Sequence, residues 1–267
     1  MVKSYRPETL DELLEIINME DTNIFAGGTD LMIRKRQWQG AERRFDKSVV
    51  FINQISELRG IKEFEDRIEI GTTTSHREIC DSNLPEYIKC VYRKMGNPPI
   101  RNMATVGGNI VNSAKVADSL PLLYCLEAKV KLESKGGERT IAIEKFILDK
   151  YKTDIKKNEV LTKIIIPKIN VIDYSYRKVG QRKASILSKV SVLLIRTDND
   201  IRISIGAVNP IVIRDKEIEI FFVETSDVEG TLIKYKNIMK GEDDNRSSRR
   251  YREKIASNIL LDFLRGE

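Results

Sequence analysis

IRNMATVGGNIVNSAKVADSLPLLYCLEAKV, residues 100–130, brings a glycine pair, an amide, a carboxylate and an apolar segment into one passage. The rest of the chain is organised around it. Gly107 and Gly108 follow the apolar Val106 and precede Asn109, so the backbone can turn tightly and bring its N–H groups against an anion without Cβ interference. Asp118 stands just before Ser119, Leu120 and Pro121, where a carboxylate accepts hydrogen bonds from sugar hydroxyls or caps the helix that follows. The run PLLYCLEA at 121–128 is apolar at nearly every position and predicts a buried helix behind the loop, with proline near its first turn. Taken alone, a glycine pair before Asn is also what a tight turn between two strands looks like.

The same chemistry occurs earlier. IFAGGTDL at 24–31 has two apolar residues leaving a strand, the pair Gly27 and Gly28, and then Thr29 and Asp30 opening a helix expected to run through Arg36. Two such loops can clasp a diphosphate. Neither has the GxGxxG or GxxxxGK[ST] spacing, so a Rossmann or P-loop assignment has no support.

Composition narrows the classes further. The chain has 267 residues, 41% hydrophobic and 32% charged, as expected of a globular protein with room for two domains. No apolar run approaches the ~20 residues of a membrane span, and the first residues lack the apolar core of a secretion signal, which predicts a cytoplasmic protein. The net charge of +6 is spread among interspersed acids and bases without an aromatic-studded stripe, which argues against nucleic acid. Cys80, Cys90 and Cys125 are too few and too widely spaced for an iron–sulfur cluster in this chain.

Along the chain, a helix is expected at 10–19 with Thr9 as its cap, strands at 23–26 and 49–53, and paired strands on either side of Asp66. Helices are expected from His76 and over 87–94, the latter broken by Asn97, Pro98 and Pro99. His76, the single histidine, reads as structural or solvated and takes no role. Arg101 and Asn102 precede the glycine loop, where two roles are open: bracing it through its carbonyls or contacting a cofactor. Lys135, Gly136 and Gly137 predict a hairpin turn, and a β-branched strand at 160–166 closes on Pro167. Beyond it come three strands with a turn at 197–200, two or three helices, and a charged segment at 241–246 that reads as a solvated loop.

AGGTDL (26–31), GTTTSHREI (71–79), IRNMATVGGNI (100–110), ADSLPLL (117–123), VLTKIIIP (160–167), YRKVGQRKASILSKVSV (176–192) and ISIGAVNPIVIRDKE (203–217) follow one another in an order that resembles the FAD-binding medium subunit of molybdenum hydroxylases. That is the group of xanthine, carbon monoxide and nicotinate dehydrogenases. The resemblance spans nearly the whole chain. It implies an α+β fold: a two-lobed FAD-binding domain of the PCMH type at 1–168, with lobes of about 1–55 and 56–168, then a small α+β domain with an antiparallel sheet at 169–267 that covers the flavin. It also implies FAD lying extended with its diphosphate against both glycine loops. Ile24, Phe25, Ala26, Gly27, Gly28, Thr29, Asp30 and Leu31 would form the first, and Thr105, Val106, Gly107, Gly108 and Asn109 the second. Asp118 matches the family aspartate, and Leu161 and Lys178 match flavin-side positions. In the stretch where members often have a proline before that aspartate, this chain has Ser113, Ala114, Lys115 and Val116.

No acid, base or nucleophile constellation of a hydrolytic kind is visible, so the chemistry would belong to the flavin. By the resemblance, a molybdenum-cofactor large subunit oxidises the substrate, a [2Fe–2S] small subunit relays electrons, and this chain passes them to NAD or another acceptor. The alternative is a self-contained FAD-dependent oxidase on the same fold. Against it, such oxidases often tether flavin through His or Cys, and the one histidine here lies outside both glycine loops.

Overall fold

The computed structural model describes residues 2–36, 38, 40–42, 44–182 and 185–266. The first lobe comprises β1 (Ser4–Tyr5), α1 (Leu10–Met19), β2 (Thr22–Phe25), α2 (Leu31–Arg34) and β3 (Ser48–Phe51). The Thr9 hydroxyl accepts from the Glu12 amide at 3.3 Å and starts α1. Leu13 and Ile17, four apart on one face, bury against Val50, Ile52, Ile55 and Leu58. The sheet is parallel, in the order β1-β3-β2.

The second lobe comprises β4 (Ile61–Glu63), β5 (Arg67–Gly71), α3 (His76–Asp81), α4 (Glu86–Arg93), α5 (Pro98–Met103), α6 (Val106–Asn112), α7 (Ser119–Cys125), β6 (Lys129–Ser134), β7 (Gly137–Ala142), α8 (Ile143–Phe146), β8 (Ile147–Asp149), β9 (Lys152–Thr153) and β10 (Val160–Pro167). Its five-stranded antiparallel sheet runs β4-β5-β10-β6-β7. β10 lies at the centre, with Ile164 and Ile166 buried on one face, and Pro167 is tolerated because it is the last residue of the strand. Val160, at the start of β10, reaches the core of the first lobe.

The rest forms β11 (Asp173–Val179), β12 (Val190–Arg196), β13 (Ile201–Gly206), α9 (Lys216–Thr225), α10 (Val228–Ile238) and α11 (Arg249–Arg265). These strands make an antiparallel sheet in sequence order. β12 reads VSVLLIR and is apolar almost throughout because both of its faces are covered. Leu193 and Ile195 join the core behind α4 and α7, while Val192 and Leu194 face the core built with α10 and α11.

Two expectations need correction. Asn97, Pro98 and Pro99 do not simply break the chain. The Asn97 side chain accepts from the Ile100 amide at 2.9 Å, and the prolines open α5, where a first turn has no use for their missing N–H groups. The segment at 241–246 is likewise more than a solvated loop. Asp244 pairs at 2.7 Å with Arg252, whose fully buried guanidinium also donates to the Lys189 and Ala207 carbonyls, and Glu242 reaches Lys115 and Lys150, each at 3.2 Å. A buried cation needs such partners. Lys115, in the stretch where the family often has a proline, is thus engaged by the C-terminal part of the chain.

Candidate functional site

Between the two lobes lies an open cleft of about 250 Å³. Ile24 and the loop from Ala26 to Leu31 form one wall, and Thr105, Gly107, Gly108, Asn109 and Leu161 form the other. The elements behind the walls explain how the loops are held. β2 ends at Phe25 and delivers the first loop to the sheet edge. Gly28 then adopts φ +69°, and a Cβ there would strike the Phe25 ring, so only glycine fits. Gly27 has a different constraint. A Cβ on it would run into the Met103 carbonyl, which makes it the point where the lobes touch backbone to backbone.

The second glycine pair is not a tight turn. It forms the first turn of α6, with Thr105 as cap accepting from the Gly108 amide at 3.2 Å. A Cβ on Gly107 would collide with Thr72, so this glycine serves contact between protein and protein.

The two loops therefore differ in their free hydrogen-bonding groups. In α6 the amides of Val106, Gly107, Gly108 and Asn109 bond to the Thr74 carbonyl, the Thr72 carbonyl, the Thr105 hydroxyl and the Thr105 carbonyl respectively. In the first loop, the consecutive amides of Gly27, Gly28, Thr29, Asp30 and Leu31 have no acceptor among the described residues. Unpaired backbone N–H groups along a turn with a left-handed residue form a concavity suited to an anion.

Asp118 and Lys178 do not line the cleft. They meet each other at 2.6 Å, with both side chains buried, and Asp118 also accepts from the Ser188 hydroxyl at 2.5 Å. Lys178 additionally donates to the Lys94 carbonyl at 2.8 Å. Both residues are thus tied into a cluster joining α7 to the C-terminal sheet. Asn109 connects the cluster to the cleft, since its side-chain oxygen accepts from Ser119, the neighbour of Asp118, at 2.5 Å. Phe25 and Val106 back the walls without entering the space. Arg101 does not brace the glycine loop; it donates to the Met95 carbonyl at 3.0 Å, in the connection between α4 and α5.

Sequence reasoning missed several lining residues: Arg34, Ile52, Thr72, His76, Ala104, Val111, Asn112, Ile155 and Val160. His76 is 3% exposed and packs edge-on to Tyr92, with ring centroids 5.2 Å apart. Burial pushes its imidazole down to about 4, against a weaker opposing pull from the Thr105 main chain, although neither ring nitrogen makes a hydrogen bond of good geometry among the described residues. The GTTTSH run, an ordered string of small hydroxyl residues ahead of a capping box at Ser75, was the available signal.

Residues 1–169 match the family of the FAD binding domain in molybdopterin dehydrogenase. The chain is 26% identical to the glyceraldehyde dehydrogenase medium chain of Sulfolobus acidocaldarius, over 96% of this chain and 94% of that one. It is 29% identical to the nicotinate dehydrogenase FAD-subunit of Eubacterium barkeri, over 70% of this chain and 65% of the other. The quinoline 2-oxidoreductase structure from Pseudomonas putida 86 shares the fold, with a TM-score of 0.88 at 21% identity over 100% of this chain and 96% of that one. The chain belongs to the family of FAD-binding domains of molybdopterin dehydrogenases, and FAD is its cofactor.

Proposed function

We propose that this chain is the medium subunit of a molybdenum hydroxylase complex, taking electrons from a [2Fe–2S] subunit and passing them to NAD or another acceptor, while a molybdenum-cofactor subunit oxidises the substrate. The observation that carries the reading is the run of acceptor-free amides from Gly27 to Leu31 in the cleft between the lobes. These amides would hold the diphosphate of FAD, and the left-handed Gly28 would let the backbone approach it closely. Bound FAD supplies the redox chemistry, accepting and releasing electrons at its isoalloxazine ring.

The protein's part is position and exclusion of water. Ile24, Ile52, Ile155, Val160 and Leu161 give the cleft an apolar lining. Arg139 holds the 154–159 segment that carries Ile155 by pairing with Asp154 at 2.6 Å and Glu159 at 2.7 Å. In this reading residues 1–168 bind FAD in two lobes and 169–267 cover the flavin, with the Asp118–Lys178 pair fastening the cover. Among the described residues no helix is long and apolar enough to cross a membrane. A cytoplasmic location fits the three free cysteines.

The test is reconstitution. The purified chain should take up one FAD, and anaerobic NADH should bleach its flavin absorbance if NAD is the acceptor. No uptake would sink the reading. Turnover of a small organic substrate by the isolated flavoprotein, without partner subunits, would favour a self-contained oxidase instead.

A further inference from the structure

Asp30 is an odd residue for a diphosphate loop, because a carboxylate beside an anion is repulsive. It stands just ahead of α2 with helical backbone angles and makes no side-chain capping bond, because the Met32 and Ile33 amides are taken by the Gly28 and Asp30 carbonyls. Its side chain reaches across the cleft instead. The Asn112 amide, at the end of α6 in the other lobe, donates to the Asp30 carboxylate at 2.8 Å. The Asn112 oxygen in turn accepts from Arg34 at 2.9 Å. An acid that can only accept and a guanidinium that can only donate fix the orientation of the Asn112 amide. Arg34 also lies over the Tyr151 ring, 5.1 Å from its centroid, so the first lobe is strapped to the second at two points. Arg34 and Asn112 both line the mouth of the cleft.

We infer that Asn112 is a positioning residue for the cofactor, which holds the Asp30 carboxylate away from the loop amides and so keeps those amides available to the FAD diphosphate. The inference rests on the reading of the cleft given above. Its physical content is a competition. Released from Asn112, the Asp30 carboxylate is free to turn onto the acceptor-free amides of its own loop and to repel the diphosphate that would occupy them. Arg34, held by the same Asn112, offsets the charge of Asp30 and of an incoming anion together. A plain lobe-to-lobe contact would predict no dependence on the charge of residue 30.

The experiment is FAD titration of the full chain and three variants, followed by protein fluorescence. Asn112→Leu should raise the FAD Kd about fivefold, the size expected for one carboxylate freed at a partly screened site. The deficit relative to wild type should shrink at high salt. Adding Asp30→Asn to Asn112→Leu should return the Kd to near the wild-type value, since the repulsive and competing charge is gone. Asn112→Asp, which keeps the size of the side chain and sets a second acid against Asp30, should bind more weakly than Asn112→Leu. A double variant as weak as Asn112→Leu, or an Asn112→Leu Kd equal to wild type while wild type binds FAD, would overturn the inference and leave the reading of the cleft standing. Failure of wild type itself to bind FAD would overturn both.

Discussion

The two glycine pairs look alike in sequence and do different work. At Gly27 and Gly28 the backbone passes through a left-handed residue and leaves its amides without acceptors among the described residues. At Gly107 and Gly108 the chain has wound into α6, and each amide is already bonded to a threonine carbonyl or hydroxyl. The missing Cβ at Gly27 and Gly28 makes room for the Met103 carbonyl and the Phe25 ring, as the one at Gly107 makes room for Thr72, so the pairs differ in their amides and not in what fills the space. A missing Cβ therefore permits close approach, but only the local hydrogen-bond count shows whether a ligand or the protein approaches.

The largest expected effect lies on the packed side of this comparison. Asp118→Ala leaves the buried Lys178 without its carboxylate and Ser188 without its acceptor, which should cost about 3–5 kcal/mol of stability before any cofactor is added. Denaturant unfolding of the FAD-free protein measures it. If stability is unchanged and only FAD affinity falls, Asp118 is a cofactor ligand and not a fastening between domains.

Next comes a direct contrast of the two pairs. Gly107→Ala drives a Cβ into Thr72, and overpacking of this kind should cost about 2–3 kcal/mol of folding stability. Gly28→Ala forces a side chain into the left-handed region, a strain of about 1–2 kcal/mol, and sets a Cβ against Phe25 beside the open amides. Its main readout should be loss of FAD affinity in a folded protein. Equal losses of stability and affinity in both variants would erase the distinction between the loops.

The smallest effect concerns His76, whose backbone amide bonds to the Ala104 carbonyl just ahead of α6. Its folded value of about 4 lies below the ordinary 6.5, so the unfolded chain binds the proton first as pH falls. Stability from the neutral imidazole is complete above pH 6.5 and is lost as pH drops toward 4, by about 1.4 kcal/mol at pH 5.5. His76→Asn should lack this part of the pH dependence, as unfolding curves at pH 7 and 5.5 would reveal.

Much of this was legible in the sequence because local chemistry set it. Thr9 and Ser75 announce their helices, the apolar run in β12 announces a strand covered on both faces, and the order of motifs announces the family. What was not legible depended on contacts far along the chain. Nothing near Lys178 says that Asp118 will meet it, and nothing near Gly107 says that Thr72 will occupy the space its missing Cβ leaves. The helix at 98–103 was obscured by two prolines whose effect reverses in a first turn. Asn112 gave no signal because its partners, Asp30 and Arg34, belong to the other lobe.

The central claim is that the amides of the first loop, and not those of α6, receive the cofactor's diphosphate. Amide hydrogen exchange of the chain with and without FAD tests it most directly. The account predicts that Gly27, Gly28, Thr29, Asp30 and Leu31 exchange fast in the free protein and become strongly protected by FAD, while 106–109, already bonded, change little. Protection confined to 106–109, with 27–31 still exchanging freely in the FAD complex, would contradict it.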